Sequence, residues 1–191
     1  MSIMTAVILG GLFFFFAAVA VIFIITYNRL IELKENIKKA WANIEVILKQ
    51  RHDELPKLVS VCEGYAQFEK SVLDRVMTAR ENYFRAGSIT QKASASAHIS
   101  DALKSLFALV ETYPDLKANQ NFIQLQNRIS LLEEGLADRR EFFNDSVNNY
   151  NIRIQQFPDF FAAGFLNYRK EAMFKPSEED KKDVDIKFKF S

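Results

Sequence analysis

The sequence is poor in the residues that interrupt helices and in those that build chemical sites. Its 191 residues include 6 glycines, 4 prolines, 1 cysteine and 2 histidines. A single cysteine forms no intramolecular disulfide, which makes a reducing compartment compatible with the chain. Glycine and proline fall at the ends of segments with helical periodicity, so the chain is predicted to be mostly helical. The 25 basic and 24 acidic side chains form no basic stripe, so nucleic acid is not an expected partner.

Charged side chains are absent before Arg29, and Ile3 to Thr26 form one apolar run of about 24 residues. As a helix this run is about 36 Å long, enough to cross a hydrocarbon core of roughly 30 Å. The alternative is a cleaved signal peptide, because Ala18-Val19-Ala20 resembles a cleavage site. No basic residue precedes the run, and apolar residues continue beyond that site, so an uncleaved anchor is the preferred interpretation.

Basic residues follow the anchor closely, at Arg29, Lys34, Lys38 and Lys39. The positive-inside tendency therefore predicts that the N-terminus lies outside and the remaining chain in the cytoplasm.

Four amphipathic segments follow the anchor and are joined by short links. Each repeats apolar residues at intervals of three and four, as a helix buried on one side requires. The predicted fold is all-α: a transmembrane helix continuous with an antiparallel four-helix bundle, followed by a short amphipathic helix and an extended tail. The segments run from about Tyr27 to Gln50, Glu54 to Phe84, Gln91 to Thr112 and Asn119 to Phe157.

Pro56 leaves two paths open for the first half of the bundle. In the preferred path a new helix begins there, with Asp53 as its cap and Pro56 in its first turn. In the other path one kinked helix continues through Pro56. The second and fourth segments are longer than the first, a mismatch that the continuous helix would relieve.

The composition changes after Pro158, where aromatic residues cluster on one side of a predicted helix. The preferred interpretation is that they plug the end of the bundle, and the alternative is that the helix lies in the membrane interface.

Predicted domains are 1–26 (anchor), 27–157 (bundle), 158–176 (Phe-rich segment) and 177–191 (charged tail). Alternation from Val184 to Phe190 suits a strand that lies along the bundle or pairs with another chain. Candidate interface residues are Phe160, Phe161, Phe165, Tyr168, Arg169 and Lys170.

Few residues suggest chemistry. Glu69 continues an apolar stripe, so a buried ion pair with Arg139 or Arg140 is a candidate, although a position at the solvated edge of the bundle is preferred.

Cys62 lies on an apolar face and is interpreted as a structural thiol. His52 and His98 lack the Glu-x-x-His spacing of a di-metal bundle, so no metal, cofactor, small-molecule substrate or enzymatic activity is expected. Trp41 is expected to pack in the core rather than in an interface.

Several short motifs, in order along the chain, resemble the LemA family of membrane proteins. The resemblance implies an N-terminal anchor followed by a four-helix bundle, located in a bacterial inner membrane, and it carries no catalytic residues. The chain departs from the family pattern mildly, at Glu45 and Gln50. The motifs include Tyr27-Asn28-Arg29-Leu30, Ala40-Trp41-Ala42-Asn43-Ile44, Asp53-Glu54-Leu55-Pro56, Gly64-Tyr65-Ala66, Tyr113-Pro114-Asp115-Leu116, Phe143-Asn144-Asp145 and Phe157-Pro158.

These observations favour a non-catalytic scaffold or adaptor that is anchored in the bilayer and binds copies of itself or other membrane proteins. The alternative hypothesis is a membrane-remodelling protein whose Phe-rich helix inserts into one leaflet.

Overall fold

The computed structural model describes residues 3–65 and 68–174, and within these ranges the regular structure is entirely α-helical. The all-α prediction is therefore confirmed, whereas the predicted tail 177–191, with its alternating Val184 to Phe190, lies outside the described residues. The helices are α1 (Ile3–Glu63), α2 (Lys70–Arg85), α3 (Ile89–Val110), α4 (Pro114–Lys117), α5 (Gln120–Arg153) and α6 (Asp159–Phe165).

Contacts divide the described chain into two compact units. The first unit comprises residues 3–42 and 142–171, and the second comprises residues 43–141, apart from 66 and 67, with 172–174. Helices α1 and α5 contribute to both. The four domains 1–26, 27–157, 158–176 and 177–191 were predicted from sequence composition rather than from contacts, and they stay a prediction.

The second unit is a four-helix bundle with one apolar core. Lys92 pairs with Glu45 at 2.5 Å and Arg51 donates to Ser96 Oγ at 3.2 Å, so α1 and α3 run in the same direction. Helix α2 lies between them in the chain, after the turn that follows Glu63, and runs in the opposite direction. The core contains Leu55, Leu58, Val59 and Cys62 of α1, Leu73 and Val76 of α2, Ile99, Leu103 and Leu106 of α3, Leu116 of α4, and Phe122 and Ile129 of α5.

The preferred prediction of a helix start at Pro56 is wrong, because α1 continues through Pro56 to Glu63. Proline has no N–H to donate to the carbonyl four residues earlier, which is that of His52. The Arg80 side chain of α2 donates to this carbonyl instead, with 3.3 Å between Arg80 Nε and His52 O. A neighbouring helix thus satisfies the acceptor that proline leaves open, and the predicted second segment is divided between the end of α1 and α2.

The link between α2 and α3 confirms the break expected at Ala86-Gly87-Ser88. Ser88 Oγ accepts from the backbone N–H of Gln91 at 3.2 Å, and the Gln91 side chain accepts from the backbone N–H of Ser88, also at 3.2 Å. This capping box starts α3 two residues earlier than the sequence pattern suggested. The alanine- and serine-rich first half of α3 packs closely, with Ala93, Ala95 and Ser96 buried.

The first unit packs α6 against α1 and the end of α5. Leu30 of α1 is buried against Ala162 and Ala163 of α6. Trp41 was expected in the core but is half-buried, and it meets the buried Phe143 edge to face, with 5.7 Å between ring centroids. Helix α5 ends at Arg153 rather than at the predicted Phe157.

Candidate functional site

The aromatic residues of α6 are exposed. Phe160, Phe161 and Phe165 are 47%, 60% and 79% exposed, whereas the small side chains of Ala162 and Ala163 are buried. A helix that plugs a bundle would bury its large apolar residues, so this exposure argues against the preferred plug interpretation. In water this arrangement is unfavourable, because about 25 cal/mol is lost per Å² of apolar surface left exposed.

Polar contacts fix the segment on either side of α6. Arg153 of α5 pairs with the buried Asp159 at 3.1 Å. The Asn151 side chain donates to the Glu171 carbonyl and accepts from the Glu171 N–H, both at 2.9 Å. The exposed aromatic face is therefore held in place by specific contacts on the opposite side of the segment, and Phe165 also meets Phe23 of α1 at 6.0 Å between ring centroids.

The remaining candidate interface residues follow α6 rather than continuing it. Asn167 has φ 53°, a left-handed conformation that ends the helical path. Tyr168 is half-buried, and the Lys34 ammonium lies over its ring at 4.2 Å from the centroid. Arg169 and Lys170 are exposed. The sequence pattern predicted a longer helix than the structure contains, with Tyr168 on the same face as the phenylalanines, whereas Tyr168 lies beyond the end of α6.

Glu69, the candidate for a buried ion pair, is not itself buried. Glu69 is exposed at the start of α2, where its carboxylate accepts from Ser71 Oγ at 2.8 Å. Arg139 is also exposed and donates to the Gly135 carbonyl. Arg140 donates to Ser96 Oγ at 2.8 Å, and its guanidinium lies over the ring of Phe174. The structure therefore favours the solvated position for Glu69.

Arg51 occupies the buried polar position that the sequence analysis missed. It is 1% exposed and forms an ion pair with Glu133 of α5, with 2.6 Å between Arg51 Nη2 and Glu133 Oε1. It also donates to Ser96 Oγ at 3.2 Å and Ser100 Oγ at 3.0 Å on α3. The missed signal is its spacing, because Arg51 continues the apolar stripe of Ile44 and Leu55.

Burial dominates the electrostatics of this polar cluster. Desolvation, and to a lesser extent the positive charge of Arg140, lower the pKa of Arg51 to about 10, although Glu133 opposes the shift. At neutral pH the guanidinium is still protonated. The Arg51–Glu133 pair therefore links α1 to α5, and the hydrogen bonds from Arg51 to Ser96 and Ser100 link α1 to α3.

Cys62 and His52 are buried inside the bundle. Cys62 is fully buried, and desolvation raises the pKa of its thiol to about 12. His52 is buried with Nε2 at 3.2 Å from the Arg80 carbonyl, and burial lowers its pKa. His98 is exposed. Within residues 3–65 and 68–174, no three His, Cys, Asp or Glu side chains are grouped so that they hold a metal ion.

Among the described residues, helix α1 is long and apolar enough to cross a bilayer. Its apolar side chains from Ile3 to Ile25 are largely exposed, as expected for contact with lipid. These features make α1 a candidate membrane span.

Known proteins resemble this chain over most of its length. Protein LemA of Metamycoplasma hominis is 26% identical over 176 residues, which cover 92% of this chain and 78% of that protein. Magnetosome protein MamQ of Magnetospirillum gryphiswaldense is 24% identical, and magnetosome protein MamQ 2 of Paramagnetospirillum magneticum is 23% identical. Each of these two alignments covers 78% of this chain and 64% of the magnetosome protein. The chain therefore spans less than two thirds of the length of these magnetosome proteins. The sequence model of the LemA family matches residues 40–188, and the chain therefore belongs to the LemA family.

Proposed function

We propose that this protein is a non-catalytic, membrane-anchored helical scaffold that acts through protein–protein contacts at the bacterial inner membrane, with its bundle in the cytoplasm. Its partners are copies of itself or other membrane proteins. The observation that carries the proposal is α1, a single uninterrupted helix of 61 residues. At about 1.5 Å per residue the helix is much longer than a bilayer is thick, so its apolar end anchors a chain whose other end forms the bundle.

The outward side of α5 supplies the contact surface in this proposal. Leu131 is 63% exposed and Phe142 is 57% exposed, although the opposite side of the helix packs in the cores. Their spacing of eleven residues places them on the same side of an α-helix. We infer that these two side chains contact a partner, which would remove their apolar surface from water.

Photo-crosslinking tests the scaffold proposal directly. A photoreactive phenylalanine at Leu131 or Phe142 of the full-length protein is expected to give a discrete crosslinked product in intact membranes, because these side chains meet the partner. The same probe at Lys104, whose side chain is 72% exposed on α3, is the matched control and is expected to give none. Products of the same kind at all three positions, or at none, contradict the proposal. A product of twice the chain mass identifies self-assembly.

The outward aromatic face of α6 favours a second candidate function, the remodelling of one leaflet. Phenylalanine side chains inserted at the interface occupy area in one leaflet only and bend the bilayer. Full-length protein in vesicles is expected to decrease vesicle diameter as the protein-to-lipid ratio rises, measured by electron cryo-microscopy. Combined replacement of Phe160, Phe161 and Phe165 by serine is expected to abolish the change, whereas Leu131→Ser retains it. Equal diameters for all three proteins exclude remodelling by α6.

A further inference from the structure

A cavity of about 290 Å³ lies between α6 and the apolar part of α1. Its volume is near the lower end of the range of small-molecule sites, roughly 300–1,000 Å³. Apart from one threonine its walls are apolar, so the site suits a hydrocarbon rather than a polar ligand. The walls are Val19, Ile22, Phe23 and Thr26 on α1, and Phe157, Pro158, Phe161 and Ala162 on the other side.

The position of the cavity along α1 places it within the depth of the bilayer. Val19 to Thr26 are the last two turns of the apolar run, and the first charged side chain is Arg29. A helix needs about 20 residues to cross the hydrocarbon core, so these turns lie at its edge or just inside it. An open cavity at this depth faces acyl chains rather than water.

The cavity is continuous with the aromatic face of α6. Phe161 contributes to both, and Phe157, another wall residue, is 79% exposed. The orientation of α6, with alanines towards the protein and phenylalanines outward, is favourable only where hydrocarbon surrounds the outer side. The acyl chains that cover the aromatic face of α6 therefore also reach the cavity.

Basic side chains follow both walls of the site along the chain. Arg29 is exposed and follows Thr26 by three residues, which places it on the same side of α1 and about one turn further along. Arg169 and Lys170 are exposed in the segment that follows α6. Arginine binds phosphate oxygens well because its guanidinium presents several N–H donors in a fixed plane.

We propose that this cavity binds one acyl chain of an anionic phospholipid from the surrounding leaflet, and that Arg29 binds the phosphate of its headgroup. The proposal deepens the membrane attachment on which the proposed function rests by assigning a specific lipid site to it. The lipid fills the space between α1 and α6 and stabilises α6 in the orientation observed.

Native mass spectrometry of the full-length protein in mild detergent tests the site, with phosphatidylglycerol or phosphatidylcholine of identical acyl chains added. The wild type is expected to retain one phosphatidylglycerol and to prefer it over phosphatidylcholine by about tenfold. Val19→Trp fills the cavity and is expected to reduce the retained lipid by about tenfold. Val21→Trp is the matched control, because Val21 is exposed, is not a wall residue and points to the other side of α1.

Arg29→Gln separates the headgroup contribution from that of the acyl chain. This variant is expected to retain a lipid but to lose the preference for phosphatidylglycerol, with an unchanged circular dichroism spectrum. Equal lipid retention by Val19→Trp and Val21→Trp overturns the proposal, as does a wild type without headgroup preference. A protein dimer that Val19→Trp alone disrupts also overturns it, since the cavity would then hold a second copy. This experiment measures bound lipid, whereas photo-crosslinking measures contact with a protein partner. Failure of the lipid-site proposal can therefore be distinguished from failure of the scaffold proposal.

Discussion

Replacing Glu133 by alanine is expected to lower the free energy of unfolding by about 3 kcal/mol, because it leaves the buried Arg51 guanidinium without its charge partner. Arg51 is 1% exposed and Glu133 lies 2.6 Å from it. Ser96 and Ser100 still accept hydrogen bonds from Arg51, but neutral hydroxyls do not compensate a buried charge. In a chain of this size the change corresponds to a fall in melting temperature of about 6–12 °C, measured by circular dichroism of the full-length protein in detergent.

Two further variants show whether this loss arises from the ion pair. Glu134→Ala removes an exposed carboxylate from the next position of α5 and is expected to change the melting temperature little. Combined replacement of Arg51 by methionine and Glu133 by leucine removes both charges and is expected to recover most of the lost stability. Equal melting temperatures for Glu133→Ala and Glu134→Ala would show that Arg51 does not depend on this partner.

Replacing Pro56 by alanine is expected to stabilise the protein by about 1–2 kcal/mol, because it restores an N–H in the middle of α1. Proline costs about 3 kcal/mol in a helix interior relative to alanine. The gain is expected to be smaller here, since Arg80 already donates to the His52 carbonyl at 3.3 Å. The melting temperature of the full-length protein measures the change.

A double-mutant cycle with Arg80→Met tests the explanation given for the continuous helix. In the wild type this substitution leaves the His52 carbonyl without a donor and is expected to cost about 1.5 kcal/mol, a typical value for a hydrogen bond to a charged group. In the Pro56→Ala background the restored N–H satisfies the carbonyl, so the cost is expected to fall. Additive effects of the two substitutions would argue against the proposed role of Arg80.

Several helix boundaries in the bundle were predictable from the sequence to within two residues, because they depend on local chemistry. Tyr113-Pro114 ends a helix since the residue before proline avoids the helical region, and α3 ends at Val110. Gly87-Ser88 interrupts the pattern and supplies the cap of α3. The path at Pro56 was not predictable in this way, because the group that satisfies the free carbonyl of His52 belongs to another helix.

The candidate sites were predicted less well than the fold. The spacing of Phe160, Phe161 and Phe165 correctly grouped them on one side of α6, but spacing alone does not say whether that side faces the protein or the lipid. Glu69 and Arg51 both interrupt an apolar stripe, and only Arg51 is buried. The difference is the presence of Glu133 and two serines opposite Arg51, which is a property of three helices packed together.

The sequence by itself determined the all-α fold, the apolar anchor and the membership of the LemA family, because helix periodicity, hydrophobic length and ordered motifs are properties of the chain alone. Tertiary structure decided which polar residue is buried, how α1 passes Pro56 and which side of α6 faces outward. Each of these outcomes depends on the free energy of a group in contact with another helix, where desolvation and hydrogen bonding outweigh local preference.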